Sequence, residues 1–202
     1  MGRGKWKPMK SWEQEPQAGS SVYTTIDADL QMVAYDALYK QLSQFEAQHG
    51  SVVVMEVQTG KIRAIVNLSR KKDGTYIDDY NYAVGEAAEP GSTFKTVSLL
   101  AAMDDGYINK NSTVETGNGS YKFYGRTITD THGYGRITVD GVIKKSSNIG
   151  TAKIINQYYG ANPSSFFEKL DKWHMTKPLD VDILGEGRPI MHRPDSKAWS
   201  NI

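Results

Sequence analysis

The sequence has no cysteine among its 202 residues, which excludes a disulfide scaffold, thiolate catalysis and a cysteine-ligated metal, and leaves the redox compartment open. It has no apolar run near the ~20 residues that a bilayer span needs, and its basic start lacks the apolar stretch of a secretory signal. No sign of charge dominates. Twenty-four Lys and Arg against 23 Asp and Glu give a formal net charge of +1, so the concentrated basic surface of a nucleic-acid binder is absent. The one local excess, Arg3, Lys5, Lys7 and Lys10 interleaved with Trp6 and Trp12, reads as a solvated linker. Phenylalanine is scarce (5) where tyrosine is plentiful (12), so much of the aromatic surface carries a hydroxyl and suits groove walls as well as cores. The histidines, His49, His132, His174 and His192, are scattered and lack metal-ligand spacing.

Residues 1–21 carry Pro8, Pro16 and Gly19 and no period, as a linker from an upstream region would. From Ile26 the apolar positions Leu30, Ala34, Ala37, Leu38, Leu42 and Phe45 recur at helical spacing, with Thr25 or Asp27 as N-cap and Gly50 as stop. Ser51 to Val57 and Lys61 to Asn67 read as strands of a hairpin, with Gln58-Thr59-Gly60 between them and Gly60 at positive φ. Val52, Val53, Val54, Met55 and Val57 are apolar on both faces, which predicts a strand covered on both sides. Residues 69–82 are polar and tyrosine-rich, a loop by composition.

A second helix is expected from Pro90, with Phe94, Val97, Leu100 and Ala101 as its apolar stripe and Gly106 as its end. Asn109 to Arg136 holds Gly, Thr and Tyr without a period and reads as loop with short strands. Helices follow over Ile137 to Lys145, Ile149 to Tyr159 and Pro163 to Trp173, and residues 174–202 are irregular. The class is α+β with an unbalanced inventory. One hairpin is marginal by itself, so either helices cover it or its sheet draws on further strands.

Chemistry concentrates at two serines. In Ser92-Thr93-Phe94-Lys95 the serine and lysine stand at i and i+3, neighbours across one helical turn. A serine hydroxyl needs a base to become a nucleophile, and a desolvated lysine loses proton affinity and can serve. A serine in the first turn also meets free backbone N–H groups and the positive end of the helix dipole, which stabilise an oxyanion. Ser-x-x-Lys is common by chance, and a second copy runs from Ser69 to Lys72. Ser146-Ser147-Asn148 is by itself an ordinary capping sequence. The two in this order are more specific, because serine–lysine followed by Ser-x-Asn is the pattern of penicillin-binding proteins and serine β-lactamases.

The longer strings carry a resemblance. Glu89-Pro90-Gly91-Ser92-Thr93-Phe94-Lys95-Thr96 resembles the nucleophile helix of the class B penicillin-binding proteins, the monofunctional peptidoglycan D,D-transpeptidases. Thr24-Thr25-Ile26-Asp27 with Leu30-Gln31 is similar to the opening of that family's transpeptidase domain, Gly50 to Val66 to its first hairpin, and Lys145-Ser146-Ser147-Asn148-Ile149-Gly150 to its second motif. The matches span roughly residues 22–160 in family order. The resemblance implies the penicillin-binding transpeptidase fold, here the N-terminal hairpin plus helical subdomain over residues 22–202. It further implies a serine acyltransferase of the division or elongation type, division being preferred. Ser92 would be acylated by the D-Ala-D-Ala end of a stem peptide. Lys95 would be its base, Ser146 would relay a proton to the leaving amine, and Asn148 would hold Lys95 and the substrate amide. Peptidoglycan stem peptides and β-lactams would be the ligands, with other division or elongation proteins as partners. No metal or organic cofactor is called for, nor nucleic acid. Such an enzyme works at the extracytoplasmic (periplasmic) face of the cytoplasmic membrane, anchored by an N-terminal helix that this chain does not contain.

One family motif is missing. Lys-Thr/Ser-Gly does not occur, and Thr59-Gly60-Lys61 is reversed and sits in the hairpin turn. In the family it lies on a later strand beside the site, next to an oxyanion donor, so the expectation is that residues 1–202 alone acylate poorly; losing one such donor costs about 100- to 1000-fold. One edge of the hairpin is expected to lie open. Two rival readings stand. A serine β-lactamase or β-lactam sensor of the same superfold would need a deacylating base, and the Glu-x-x-Leu-Asn string of one class is absent. A non-catalytic transpeptidase-like scaffold would be indifferent to Ser92→Ala. Asp130-Thr131-His132-Gly133 invites a His–Asp reading, but beside a serine–lysine pair it reads as loop structure. The loop from Tyr121 to Tyr134 suits a groove wall or a packed loop equally.

Overall fold

Asp27 starts the ordered chain. Its carboxylate accepts from the backbone N–H groups of Asp29 (3.0 Å) and Leu30 (3.1 Å), capping α1 (Ala28–Phe45). The computed structural model describes residues 19–195; the basic, tryptophan-bearing start and most of the expected linker lie outside them. Of the two cap candidates Asp27 takes the role, because the Thr25 hydroxyl is engaged by the Ile62 carbonyl at 2.6 Å. The helix ends earlier than Gly50 implied. Glu46 turns left-handed at φ +50° and closes it. Gly50 lies in the following strand, where a Cβ would stand 2.9 Å from Leu42 Cδ2; it is a packing glycine, not a stop.

β1 (His49–Met55) and β2 (Ile62–Arg70) form the expected antiparallel hairpin, with Gly60 at φ +71°. A third short strand, β3 (Tyr76–Ile77), pairs with the end of β2 inside the segment expected to be loop, giving the order β1-β2-β3. The side of β2 that β3 leaves free is covered by the chain start: Asp27 N–H donates to the Arg63 carbonyl at 2.8 Å. The Gln31 amide satisfies both backbone groups of Ile65, at 2.8 and 2.9 Å. Thr25, Asp27 and Gln31 therefore act as a surrogate strand, which is the local reason for that polar string ahead of a helix. Ala34, Leu38 and Leu42 of α1 bury against Ala64, Val66, Leu68 and Tyr76. On β1 the expectation of two covered faces fails. Val52 and Val54 pack on this core, whereas Val53 is 49% and Met55 58% exposed, and among the described residues β1 pairs only with β2.

The second half is helical. A 3₁₀ turn (Gly91–Thr93) leads into α3 (Phe94–Asp104), and α4 (Val139–Lys144), α5 (Asn148–Tyr159) and α6 (Pro163–Lys172) follow. Between them two small ribbons form, β4 (Thr113–Glu115) with β7 (Arg136–Thr138), and β5 (Ser120–Phe123) with β6 (Arg126–Thr129). Leu99, Ala102, Val142, Ile154, Tyr159 and Phe166 are central to this core. Buried Asn67 of β2 ties the sheet to the segment that follows β3: its amide donates to Asn81 at 3.0 Å and accepts from Ala83 N–H of α2 (Tyr82–Gly85) at 2.9 Å.

Candidate active site

Two chain reversals build the site. In the first, Gly91 takes φ +57°, the Thr93 hydroxyl donates to the Pro90 carbonyl at 2.5 Å, and Phe94 N–H returns to the Gly91 carbonyl. Ser92 is held in this 3₁₀ turn and is exposed. The sequence placed it in the first α-turn; it stands just ahead, because the glycine's left-handed residue tightens the entry. Lys95 follows in the first turn of α3.

The second reversal joins α4 to α5. Ser146 N–H donates to the Ile143 carbonyl (3.0 Å) and Ser147 N–H to the Val142 carbonyl (2.9 Å), the paired bonds of a Schellman closure. That closure puts a left-handed residue where glycine is usual. Here it is Ser146, at φ +50°. The strain of a non-glycine residue in this region is about 1–2 kcal/mol, and such outliers cluster at functional positions. Its consequence is that the carbonyl and hydroxyl of Ser146 face one cation: Lys95 Nζ donates to the Ser146 carbonyl oxygen at 2.6 Å and to Ser146 Oγ at 3.0 Å.

The neighbouring serine does something different. Ser147 is fully buried. Its hydroxyl donates to Asp130 at 2.5 Å and accepts from Gly150 N–H at 2.9 Å, capping α5. Asp130 also accepts from the backbone N–H groups of Asn148 (2.6 Å) and Ile149 (3.1 Å), its negative charge resting on the positive end of α5. The Asn148 side-chain amide donates to the Thr129 carbonyl at 2.8 Å. The junction thus separates two serines that are alike in sequence: Ser146 points at Lys95, and Ser147 is structural.

Burial lowers the proton affinity of the Lys95 ammonium, and the negative charge of Asp130 partly offsets that. Lys95 and Asn148 stand on the wall of a cavity of about 630 Å³ whose other lining includes Phe94, Ile128, Ile155 and Tyr159. Of the residues singled out from sequence, Lys95 and Ser146 are in contact, Ser92 is three positions before Lys95, and Asn148 shares the junction, held by Thr129. Sequence reasoning missed Asp130 as a partner of the Ser146-Ser147-Asn148 string. It noticed the residue only beside His132, whose ring packs edge-on against Tyr134. Among the described residues no cluster of His, Asp and Glu is arranged to hold a metal, and no helix is long and apolar enough to cross a membrane.

The sequence model of the penicillin binding protein transpeptidase domain matches residues 50–197. The chain belongs to the penicillin-binding protein transpeptidase family. It is 32% identical over 160 residues to a probable peptidoglycan D,D-transpeptidase PenA of Neisseria flavescens, covering 77% of this chain and 40% of that protein. To the peptidoglycan D,D-transpeptidase FtsI of Escherichia coli it is 29% identical over 194 residues, covering 93% of this chain and 32% of FtsI. The transpeptidase domain of Burkholderia pseudomallei penicillin-binding protein 3 superposes with a TM-score of 0.76 at 30% identity, over 92% of this chain and 51% of that one. The mixed helix-and-sheet architecture is therefore part of the penicillin-binding transpeptidase fold, and the chain spans less than half the length of the curated relatives it matches.

Proposed function

We propose that the protein carrying this chain is a class B peptidoglycan D,D-transpeptidase that cross-links stem peptides through an acyl-serine intermediate. The observation that carries this reading is the bridge from Lys95 to both oxygens of Ser146, with Ser92 three residues upstream on the exposed turn. A partly desolvated lysine holds its proton less tightly, which suits a base near neutral pH.

In the proposed reaction Ser92 Oγ attacks the carbonyl between the two terminal D-alanines, and its proton passes to Lys95. The tetrahedral intermediate collapses as the C–N bond breaks. The departing D-alanine amine takes a proton from the Ser146 hydroxyl, which Lys95 replenishes across their 3.0 Å hydrogen bond. An amine of a neighbouring strand then attacks the acyl-serine and restores Ser92. Asn148 gives one N–H of its amide to Thr129, which leaves its other N–H and its side-chain oxygen for the substrate amide. Penicillins, as mimics of the terminal dipeptide, would leave Ser92 acylated.

The FtsI and PenA names among the relatives support the division type over elongation, with other division proteins as partners. A peptidoglycan substrate would put the working site at the extracytoplasmic face of the cytoplasmic membrane. Release of D-alanine from a pentapeptide donor by the protein carrying this chain tests the reading. Turnover abolished by Ser92→Ala is expected; turnover unaffected by that substitution would defeat it.

A further inference from the structure

The reaction as written gives no part to Asp130, yet this carboxylate is the most heavily engaged group at the site. Three donors from three successive residues converge on it: Ser147 Oγ at 2.5 Å, Asn148 N–H at 2.6 Å and Ile149 N–H at 3.1 Å. The residue before it, Thr129, supplies the carbonyl that holds the Asn148 amide. The end of β6 therefore grips the head of α5 at every position from Ser147 to Ile149. Asp130 is itself fixed by its N–H, which donates to the Gly119 carbonyl at 3.0 Å. Behind that bond the two loop segments touch backbone to backbone, a Cβ on Gly119 meeting His132 at 2.9 Å.

Its charge matters as well as its geometry. Asp130 is the charged group acting on Lys95, opposing the effect of burial. Lys169 of α6 pairs with Asp104 and Asp105 at the far end of α3, His192 shares the cavity wall with Lys95, and the charges of α4 and α5 are engaged elsewhere. Lys144 of α4 pairs with Asp140, Lys145 lies over the Tyr134 ring, and Lys153 of α5 donates to the Glu115 carbonyl and lies over Tyr121.

We propose that Asp130 is a positioning residue of the acyl-transfer site, which seats the Ser147-Asn148 head of α5 and with it the Ser146 turn that Lys95 contacts. The proposal rests on the reading of Lys95 as the base for Ser92. Beyond clamping, the Asp130 charge holds the proton on Lys95: a neutral residue there would leave Lys95 easier to deprotonate and Ser146 less well held.

Asp130→Asn and Asp130→Glu test it. In the 202-residue chain labelled with ¹³C-lysine, the Lys95 side-chain resonance, assigned with Lys95→Arg, is titrated against pH. Asp130→Asn is expected to move the midpoint to lower pH, and Asp130→Glu, which restores the charge, to return it toward wild type. In the protein carrying this chain, the penicillin acylation rate of Asp130→Asn should fall at its optimum while its acid limb moves to lower pH. A purely structural aspartate would lower the rate and leave both midpoints in place. A Lys95 midpoint identical in wild type, Asp130→Asn and Asp130→Glu overturns the proposal. Should Asp130→Asn fail to fold, Asp130→Ser takes its place: a midpoint and acid limb moved to lower pH support the proposal, and both left at the wild-type values overturn it. The titration needs no substrate, so loss of Ser92 acylation in the wild type would sink the functional reading without touching this result.

Discussion

Replacing Ser147 by alanine separates architecture from chemistry at the α4–α5 junction. The hydroxyl is fully buried, caps α5 through Gly150 N–H and donates to the Asp130 carboxylate. Losing an N-cap serine costs about 1 kcal/mol, and losing a hydrogen bond to a charged group about 1.5–3 kcal/mol. The two share one hydroxyl and do not add fully, so a loss of about 2–3 kcal/mol is expected. For a domain of this size that lowers the melting temperature by roughly 4–12 °C. The comparison is Ser146→Gly. It removes a left-handed strain of about 1–2 kcal/mol, offset by glycine's extra chain entropy of about 0.5–1 kcal/mol and by the exposed contact to Lys95. Its melting temperature should stay within about 3 °C of wild type, while β-lactam acylation in the protein carrying this chain should fall steeply for want of the relay hydroxyl. Calorimetry or urea titration reads the first quantity, and labelled penicillin the second. A Ser146→Gly variant destabilised as much as Ser147→Ala would refute the division of labour between the two serines.

Gly150 faces α4 so closely that a Cβ would stand 2.7 Å from Val142 Cγ2 and 3.0 Å from Ser147 Oγ. Gly150→Ala should therefore destabilise by about 1–3 kcal/mol in urea unfolding, against the usual gain for alanine in a helix. Burial by itself would raise the Asp105 carboxyl, but the hydrogen bonds from Lys169 and Tyr159 outweigh it and hold Asp105 below the usual carboxylate range. A folded-state value below the unfolded one means its stabilisation is present above the unfolded value of about 4 and fades as pH falls through the folded value. The urea midpoint should thus decline below about pH 4, and Asp105→Asn should flatten that decline.

Much of the architecture was legible because it is local. The apolar stripe Ala34, Leu38 and Leu42 announces α1, and the Gly60 turn announces the hairpin. Pro163 marks the start of α6. What escaped the sequence depends on contacts between distant segments. Gly50 looked like a helix stop, but its missing side chain makes room for Leu42, which only the folded sheet reveals. The two apolar faces of β1 signalled double cover, yet Val53 and Met55, on the face turned away from α1, remain exposed. At the site, the order of Ser92, Lys95, Ser146 and Asn148 was readable as a string. That Ser146 bends left-handed toward Lys95 while Ser147 caps a helix follows from the Schellman closure, which has no glycine here to announce it. Asp130 escaped for a similar reason: its partners begin 17 residues downstream, and its nearest polar neighbour in sequence, His132, suggested another pairing.

The most direct measurement is mass spectrometry of tryptic peptides after the protein carrying this chain has been incubated with benzylpenicillin. The account predicts one penicilloyl adduct on Ser92, absent in Ser92→Ala and strongly reduced in Lys95→Ala. An adduct on another residue, or one that forms as readily without Ser92, would contradict it.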